Sequence, residues 1–398
     1  MFLEPVVISP EVSCHFFEDR LLLFSEKTQG LYELNQSAAL IWLCCERQMS
    51  LDDISLQLSQ SFGVERSQAK TDSLVLMSYW ASLGLIRDDS EPHEQNQDDL
   101  DYSPTSSPLV AKPHDIRAEP QSSLGIAFGG LNYMFRFYDQ HVADQATQVI
   151  AHLESHVTEP QVYMDVLYDL DHFLIVCDGI IVDAFVDPNE IAPRIAYHLV
   201  ISAYTRADFL ISVHSAALSL GNGCIMFAGN CGVGKTTLSA ALIRAGFIHY
   251  TDDTVILDRK TRKVIPAPVS LRIKEGSWNI VEKMFPGGMS LPVHYTCDKR
   301  RLRYLSPSVG KFVSTPTDAE PVKALIFPQY SPETGTGIKS IPKVEAFRKI
   351  QECGYDVGPG LDRARVDELL DWITGVDCYE MTVDSLDEAI HMIRRIAE

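Results

Sequence analysis

The chain has 398 residues, too many for one compact core, and its 45% hydrophobic content describes a globular protein of two or three domains. Against 34 basic side chains stand 54 acidic ones, a net of −20 that repels nucleic acid and anionic membrane. No apolar run reaches the length of a membrane span, and the start lacks the basic-then-apolar pattern of a signal peptide. Nine cysteines without a C-x-x-C pair argue against a disulfide framework and a zinc site, and for a reducing cytoplasm.

In chain order, Phe16–Phe24 and Gly30–Leu34 read as short strands around a polar turn. Asn35 caps a helix through Ala38, Leu40, Ile41 and Trp42. Ser50-Leu51-Asp52-Asp53 is a capping signal for a second helix carrying Ile54, Leu56 and Leu58. A third helix is predicted from about Ser67 to Leu83, with Leu74, Met77 and Trp80, ending at Gly84. Two strands and three helices suggest a winged-helix-like unit. DNA binding does not follow, because residues 1–88 hold six basic side chains against twelve acidic ones. A protein or peptide partner fits that charge better.

The stretch Gly30-Leu31-Tyr32-Glu33-Leu34-Asn35-Gln36-Ser37-Ala38-Ala39-Leu40-Ile41-Trp42, with the helical pattern after it, resembles the PqqD-type domains. These are small winged-helix modules that hold the leader of a ribosomally made peptide for a modifying enzyme. The resemblance implies a leader peptide added beside the last strand and packed on the third helix, with Leu31, Tyr32, Glu33, Leu34, Leu74 and Met77 as peptide-binding residues. A docking or dimerisation role stays open, and with it a homo-oligomer.

Residues 89–122 combine acids with Pro104, Pro108, Pro113 and Pro120 among serines, and no apolar period survives there, so they read as a linker. Next, Phe173–Cys177 and Ile180–Phe185 flank Asp178-Gly179, a hairpin signal in which Asp178 is a turn residue. A helix near Ile191–Thr205 leads to the most informative stretch. The far C-terminus, Ser385–Ala397, reads as a helix capped by Ser385 and Glu388.

Gly229-Asn230-Cys231-Gly232-Val233-Gly234-Lys235-Thr236 follows an apolar strand, Cys224–Ala228, and opens a helix that begins near Thr237 and closes at Gly246. That context makes it a P-loop. Its backbone N–H groups and the helix start suit phosphate oxygens, Lys235 suits the β/γ-phosphates, and the Thr236 hydroxyl suits Mg²⁺. Nucleotide binding is therefore expected of Gly229 through Thr237, with ATP and Mg²⁺ as cofactors. Cys231 lies within the loop, oxidisable in principle but better read as a small filler.

Seventeen residues beyond Lys235 come Asp252 and Asp253, between the strand-like runs Phe247–Tyr250 and Thr254–Leu257. Adjacent acids on extended backbone point to opposite sides, so one can serve as base and the other serve a metal. A turn with two solvated acids is the other reading of that spacing.

His214-Ser215-Ala216-Ala217, then Gly229–Thr236, then Thr251-Asp252-Asp253-Thr254-Val255 together resemble the HPr kinase/phosphorylase family. Those are bacterial serine kinases with a phosphoenolpyruvate-carboxykinase-like core. The resemblance implies Asp252 as catalytic acid/base, Asp253 in or beside the Mg²⁺ shell, and His214 supporting Asp252. A core role for His214 is the alternative. One segment departs: Leu271-Arg272-Ile273-Lys274-Glu275-Gly276 is basic where the family has an acid, which puts a phosphate-releasing reverse reaction in doubt. Some of Arg272, Lys274, Arg300, Arg301 and Arg303 are expected to meet phosphate charge.

The fold expected is an α/β (α+β) P-loop kinase core of HPr kinase/PEP carboxykinase type with a small winged-helix-like N-terminal domain. Domains are expected at 1–88 (peptide-binding), 89–122 (linker) and 123–398 (catalytic). The function expected is ATP-dependent phosphorylation of a Ser/Thr hydroxyl on a recruited precursor peptide. A small-molecule kinase and a nucleotide-gated binding protein without transfer activity remain alternatives.

Overall fold

The computed structural model describes residues 6–87, 119–169, 171–230, 232–358 and 360–398. The expected linker therefore falls outside the described residues except for its last four positions, and Cys231 also falls outside them. The chain is a mixed α/β protein that divides into two compact units. One is Met1–Thr105 with Pro359–Asp371, the other Ser106–Gly358 with Trp372–Glu398. Among the described residues no helix is long and apolar enough to cross a membrane.

In the first unit, β1 (Val7–Ile8) pairs with β5 (Ile86–Arg87), and β2 (Val12–Phe17), β3 (Arg20–Ser25) and β4 (Gly30–Leu34) form an antiparallel sheet in that order. The strand read at Phe16–Phe24 is in fact a hairpin. Glu18 turns with φ 52°, so Phe16 and Phe17 belong to β2 and Arg20 onward to β3. Helices α1 (Gln36–Glu46), α2 (Leu51–Phe62) and α3 (Arg66–Ser82) follow, with the Asn35 side chain accepting from the Ala38 N–H and Ser50 from the Asp53 N–H. Both caps satisfy helix N–H groups that have no intrahelical acceptor. Trp42 and Trp80 meet edge to face with centroids 5.2 Å apart, at the centre of a core that includes Leu21, Leu23, Ile54 and Met77.

A segment far along the chain completes this unit. The Gln29 amide donates to the Leu361 carbonyl (3.0 Å) and accepts from the Leu361 N–H (2.6 Å). Glu26 accepts from the Arg363 N–H (3.2 Å), and His15 Nδ1 lies 2.7 Å from the Asp367 carboxylate. A linear division of the sequence puts residues 359–371 with the C-terminal segment; the structure groups them with the N-terminal unit. Leu22 and Phe24, which alternate with the core residues Leu21 and Leu23 and so face the other way, are also buried. We therefore expect residues 1–88 alone to melt less cooperatively than the unit in the intact chain. A synthetic peptide of residues 360–374 added in trans should raise the melting temperature, as followed by circular dichroism; a fragment indifferent to the peptide contradicts this.

The second unit opens with β6 (Ser122–Phe128), β7 (Leu131–Phe137), β8 (Val162–Asp169), β9 (His172–Cys177) and β10 (Ile180–Phe185), a five-stranded sheet in the order β10-β9-β8-β7-β6. Asp178 and Gly179, at φ 49° and 80°, turn the β9–β10 hairpin as expected. Helices α4 (Gln140–Ile150) and α5 (Ile191–Arg206) share one apolar core with this sheet.

The chain then runs through β11 (Phe209–Val213), β12 (Ser215–Ser219), β13 (Cys224–Ala228), α6 (Lys235–Arg244), β14 (Ile248–Thr251) and β15 (Val255–Asp258). Next come β16 (Leu271–Lys274), α7 (Trp278–Met284), β17 (His294–Tyr295), β18 (Arg301–Leu305) and β19 (Lys311–Phe312). It ends with β20 (Val322–Tyr330), β21 (Gly337–Ser340), α8 (Lys343–Cys353), β22 (Tyr355–Asp356), α9 (Arg363–Thr374), β23 (Asp377–Val383) and α10 (Leu386–Ala397). A seven-stranded mixed sheet has the order β19-β14-β12-β13-β20-β23-β21, and two three-stranded sheets have the orders β15-β11-β22 and β16-β18-β17. Residues of α6, α7 and α10 share its core.

Candidate functional site

All five residues of β13 are buried, as a central strand requires. The strand ends at Ala228, and α6 starts at Lys235 behind Gly234 as its cap. Gly232 and Gly234 take φ 96° and 98°, a region that glycine enters without strain. The N–H groups of the first helical turn have no intrahelical acceptor, so loop and helix start together present donors and a positive dipole end to an anion. Lys235 is only 7% exposed, and its Nζ donates to the Gly229 carbonyl and, at 3.3 Å, to the Asn230 carbonyl. Its ammonium is thus held against the first residues of the loop.

A cavity of about 290 Å³ at this loop is lined by Lys235, Thr236, Asp252, Asp253, His214 and Arg272, among others. Sheet topology explains why they meet. The chain leaves the three-stranded sheet for the seven-stranded one between β11 and β12, and His214 sits at that break. It makes the reverse crossing between β14 and β15, and Asp252 and Asp253 sit there. Val213 pairs with Val255 and Ala217 with Thr251, so the two breaks lie side by side.

Asp252 is 6% exposed, and its Oδ1 accepts no hydrogen bond. Burial pushes its carboxyl up to about 6, with the Asp253 charge adding to the rise. The nearby Ser239 and Thr236 hydroxyls and the Arg272 charge pull the other way. Both hydroxyls lie on one face of α6, three residues apart. Ser239 is a neighbour that the loop motif alone does not reveal; its signal was the i, i+3 spacing from Thr236.

Asp253 has different company. The Arg272 guanidinium pairs directly with its carboxylate, and His214 Nδ1 lies 3.7 Å from the same oxygen. The expected support of Asp252 by His214 is therefore corrected: the imidazole faces Asp253. Burial, then the Lys235 charge, holds His214 below the ordinary histidine range, opposed by Asp253.

Of the other expected cations, Arg300 and Arg301 line the same cavity, Arg300 paired with Asp298 and Arg301 bonded to Glu275 at 2.7 Å. Arg303 does not: it donates to the Met289 and Leu291 carbonyls and lies over the Trp278 ring at 4.4 Å. The Thr237 hydroxyl is 2.8 Å from that of Ser277, which ties α6 to the turn before α7. Among the described residues no cluster of three or more His, Cys, Asp or Glu is set to enclose a metal. The Thr236 hydroxyl and the unpartnered Asp252 Oδ1 are nonetheless hard oxygens of the kind Mg²⁺ takes, and it keeps much of its water.

In the first unit, β4 is an edge strand that pairs with β3 alone among the described residues. Its Leu31 and Tyr32 are half-buried and Glu33 exposed, and Leu74 on α3 is half-buried. Leu34 and Met77 are core residues, 6% and 2% exposed, and cannot touch a peptide on the surface. Instead α3 presents Val75 and Tyr79, 66% and 58% exposed and one turn apart. That pair was readable as the apolar positions out of phase with Ser73, Met77 and Trp80. A cavity of about 610 Å³ lies alongside, floored by Ile41, Leu58 and Leu76 and bordered by Asn35 and Asp72.

Three solved structures are similar to parts of this chain. TbiB1 in complex with the TbiA(beta) leader peptide is 18% identical, with a TM-score of 0.20 over 22% of this chain and 99% of that one. A lasso peptide synthetase B1 complexed with the leader peptide is 24% identical, with a TM-score of 0.20 over 21% and 96%. The HPr(Ser) kinase/phosphatase from Coxiella burnetii is 13% identical, with a TM-score of 0.23 over 46% and 96%. No curated protein matches the sequence. Residues 20–86 match the family described as Coenzyme PQQ synthesis protein D (PqqD). The chain thus carries a PqqD domain near its N-terminus.

Proposed function

We propose that this protein is an ATP- and Mg²⁺-dependent phosphotransferase that acts on a serine or threonine hydroxyl of a peptide captured by its N-terminal unit. One observation carries the reading. A buried lysine, a helix-start hydroxyl and a carboxyl pair converge in one cavity at the end of a strand, glycine-rich loop and helix. Phosphoryl transfer needs those parts, a phosphate cradle, a cation and a proton acceptor. The loop N–H groups would hold the β-phosphate and Lys235 the β/γ bridge. Thr236 and Asp253 would hold Mg²⁺, which would supply neutralisation of the phosphate charge. Asp252 would take the acceptor proton while the hydroxyl oxygen forms its bond to the γ-phosphorus and the bond to the β-bridging oxygen breaks, leaving ADP. A carboxyl pushed up to about 6 is better matched to that task than an ordinary aspartate. The Arg272–Asp253–His214 contacts would hold the second acid in place.

The PqqD match and the unpaired edge of β4 support recruitment of a leader by strand addition. Tethering the leader raises the effective concentration of the acceptor segment at the catalytic unit. Tyr79→Glu puts a charge on the exposed apolar stripe of α3. It should raise KM for the precursor peptide on the order of tenfold and leave kcat unchanged. An unchanged KM for the precursor peptide in the variant would remove the recruiting role and favour a small-molecule acceptor.

A further inference from the structure

A second cavity, of about 650 Å³, opens on the other flank of the glycine-rich loop. Gly229, Asn230 and Val233 line it, whereas Gly232, Gly234, Lys235 and Thr236 line the first. Its floor is apolar: Phe327 and Met381, 8% and 1% exposed, with the half-buried Ile338. One wall is β21, an edge strand that pairs with β23 alone among the described residues and so keeps backbone donors and acceptors on its outer side. At the rim stands Glu380, whose carboxylate accepts from Lys339 at 2.7 Å and from Lys349 at 2.5 Å. These two ammoniums hold Glu380 below the usual carboxylate range, so it is an anionic acceptor at neutral pH.

The two cavities differ in what they can accommodate. The first, about 290 Å³, holds the carboxyl pair and must also admit the acceptor hydroxyl. That is the small end of ligand sites, which run roughly 300–1,000 Å³, while the second cavity lies within that range and sets Lys339, Lys349, Glu352 and Glu380 around its apolar floor. A triphosphate lying across the loop has its reacting end at Asp252 and must send its other end elsewhere.

We propose that the second cavity receives the nucleoside of the triphosphate, its heterocycle on the Phe327–Ile338–Met381 floor against the free edge of β21 and its ribose hydroxyls donating to Glu380. This rests on the reading of the loop as a phosphate site. A carboxylate opposite a ribose diol is a recurrent solution in dinucleotide sites, for the same hydrogen-bonding reason.

The test is calorimetry on the full chain with Mg-ATP, Mg-2′-deoxy-ATP and Mg-tripolyphosphate. Wild type should bind ATP more tightly than either of the others. Glu380→Gln should lose about tenfold for ATP, keep its affinity for tripolyphosphate, and no longer distinguish ATP from its 2′-deoxy form. Thr382→Trp, which fills the cavity from an exposed position, should also lose ATP affinity alone. Equal binding of tripolyphosphate and ATP to wild type, parallel losses for both in Glu380→Gln, or unchanged ATP affinity in both variants overturns the assignment. Binding of neither ligand to wild type removes the phosphate-site reading itself, and the nucleoside site with it.

Discussion

Lys235→Ala should lose at least about 10²-fold in nucleotide-dependent turnover, with a matching fall in Mg-ATP affinity and an unchanged circular dichroism spectrum. The lysine is buried and donates to the Gly229 and Asn230 carbonyls of the loop. Its removal leaves two carbonyls without a donor at a partly open site, a small structural cost. The functional cost is larger, because Lys235 places a cation directly on the loop in a protein whose net charge is −20. Backbone dipoles alone would then face the phosphates. Lys235→Arg should recover little, since a planar guanidinium does not fit where a compact ammonium reaches two carbonyls. Calorimetry that returns wild-type Mg-ATP affinity for Lys235→Ala, with turnover intact, contradicts the loop's proposed role.

Asp252→Asn should bind Mg-ATP and yet transfer phosphate roughly 10²–10⁴-fold more slowly, because size and polarity survive and the proton acceptor does not. In wild type the acid limb of kcat/KM should fall near pH 6, where burial has pushed the carboxyl of the free protein. The limb should vanish in the variant. Stability gives an independent readout. A carboxyl whose folded pKa is raised contributes stability fully below its unfolded pKa, near 4, and loses that contribution as pH rises through about 6. Asp252→Asn should therefore be more stable than wild type at pH 8, with the gap closing toward pH 4 in thermal melts. A gap of the same size at both pH values would show that Asp252 is not the buried, destabilised charge that the site describes. Asp253→Asn should behave otherwise, since Arg272 loses its partner and the buried face of the site is disturbed directly.

What the sequence displayed and what it hid follow from distance along the chain. The strand, glycine-rich loop and helix around Lys235 is local: apolar run, left-handed glycines and helix start lie within about twenty residues, so the pattern is visible without tertiary information. The Asn35 and Ser50 caps were legible for the same reason. The partner of His214 was not. It depends on β11 pairing with β15 and β12 with β14, which sets one chain break beside the other and gives the imidazole to Asp253. Arg272 was visible as a misplaced base, but only the β16–β18 sheet puts it on Asp253. The hairpin at Glu18 was missed because Phe16–Phe24 is apolar on both sides of a two-residue turn with no glycine to mark it. The segment Leu361–Asp367 was invisible as part of the N-terminal unit, since more than 300 residues separate it from Gln29 and His15. The second cavity is built from β13, β20, β21, β23 and α8, which no single window contains.

The most direct measurement follows the label from [γ-³²P]ATP in the presence of Mg²⁺, the intact protein and a positional library of serine- and threonine-containing peptides. The predicted result is acid-stable label on peptide hydroxyls with wild type, lost with Asp252→Asn although Mg-ATP still binds. Label that stays on ATP with wild type, or an identical distribution for wild type and Asp252→Asn, contradicts the phosphotransferase reading.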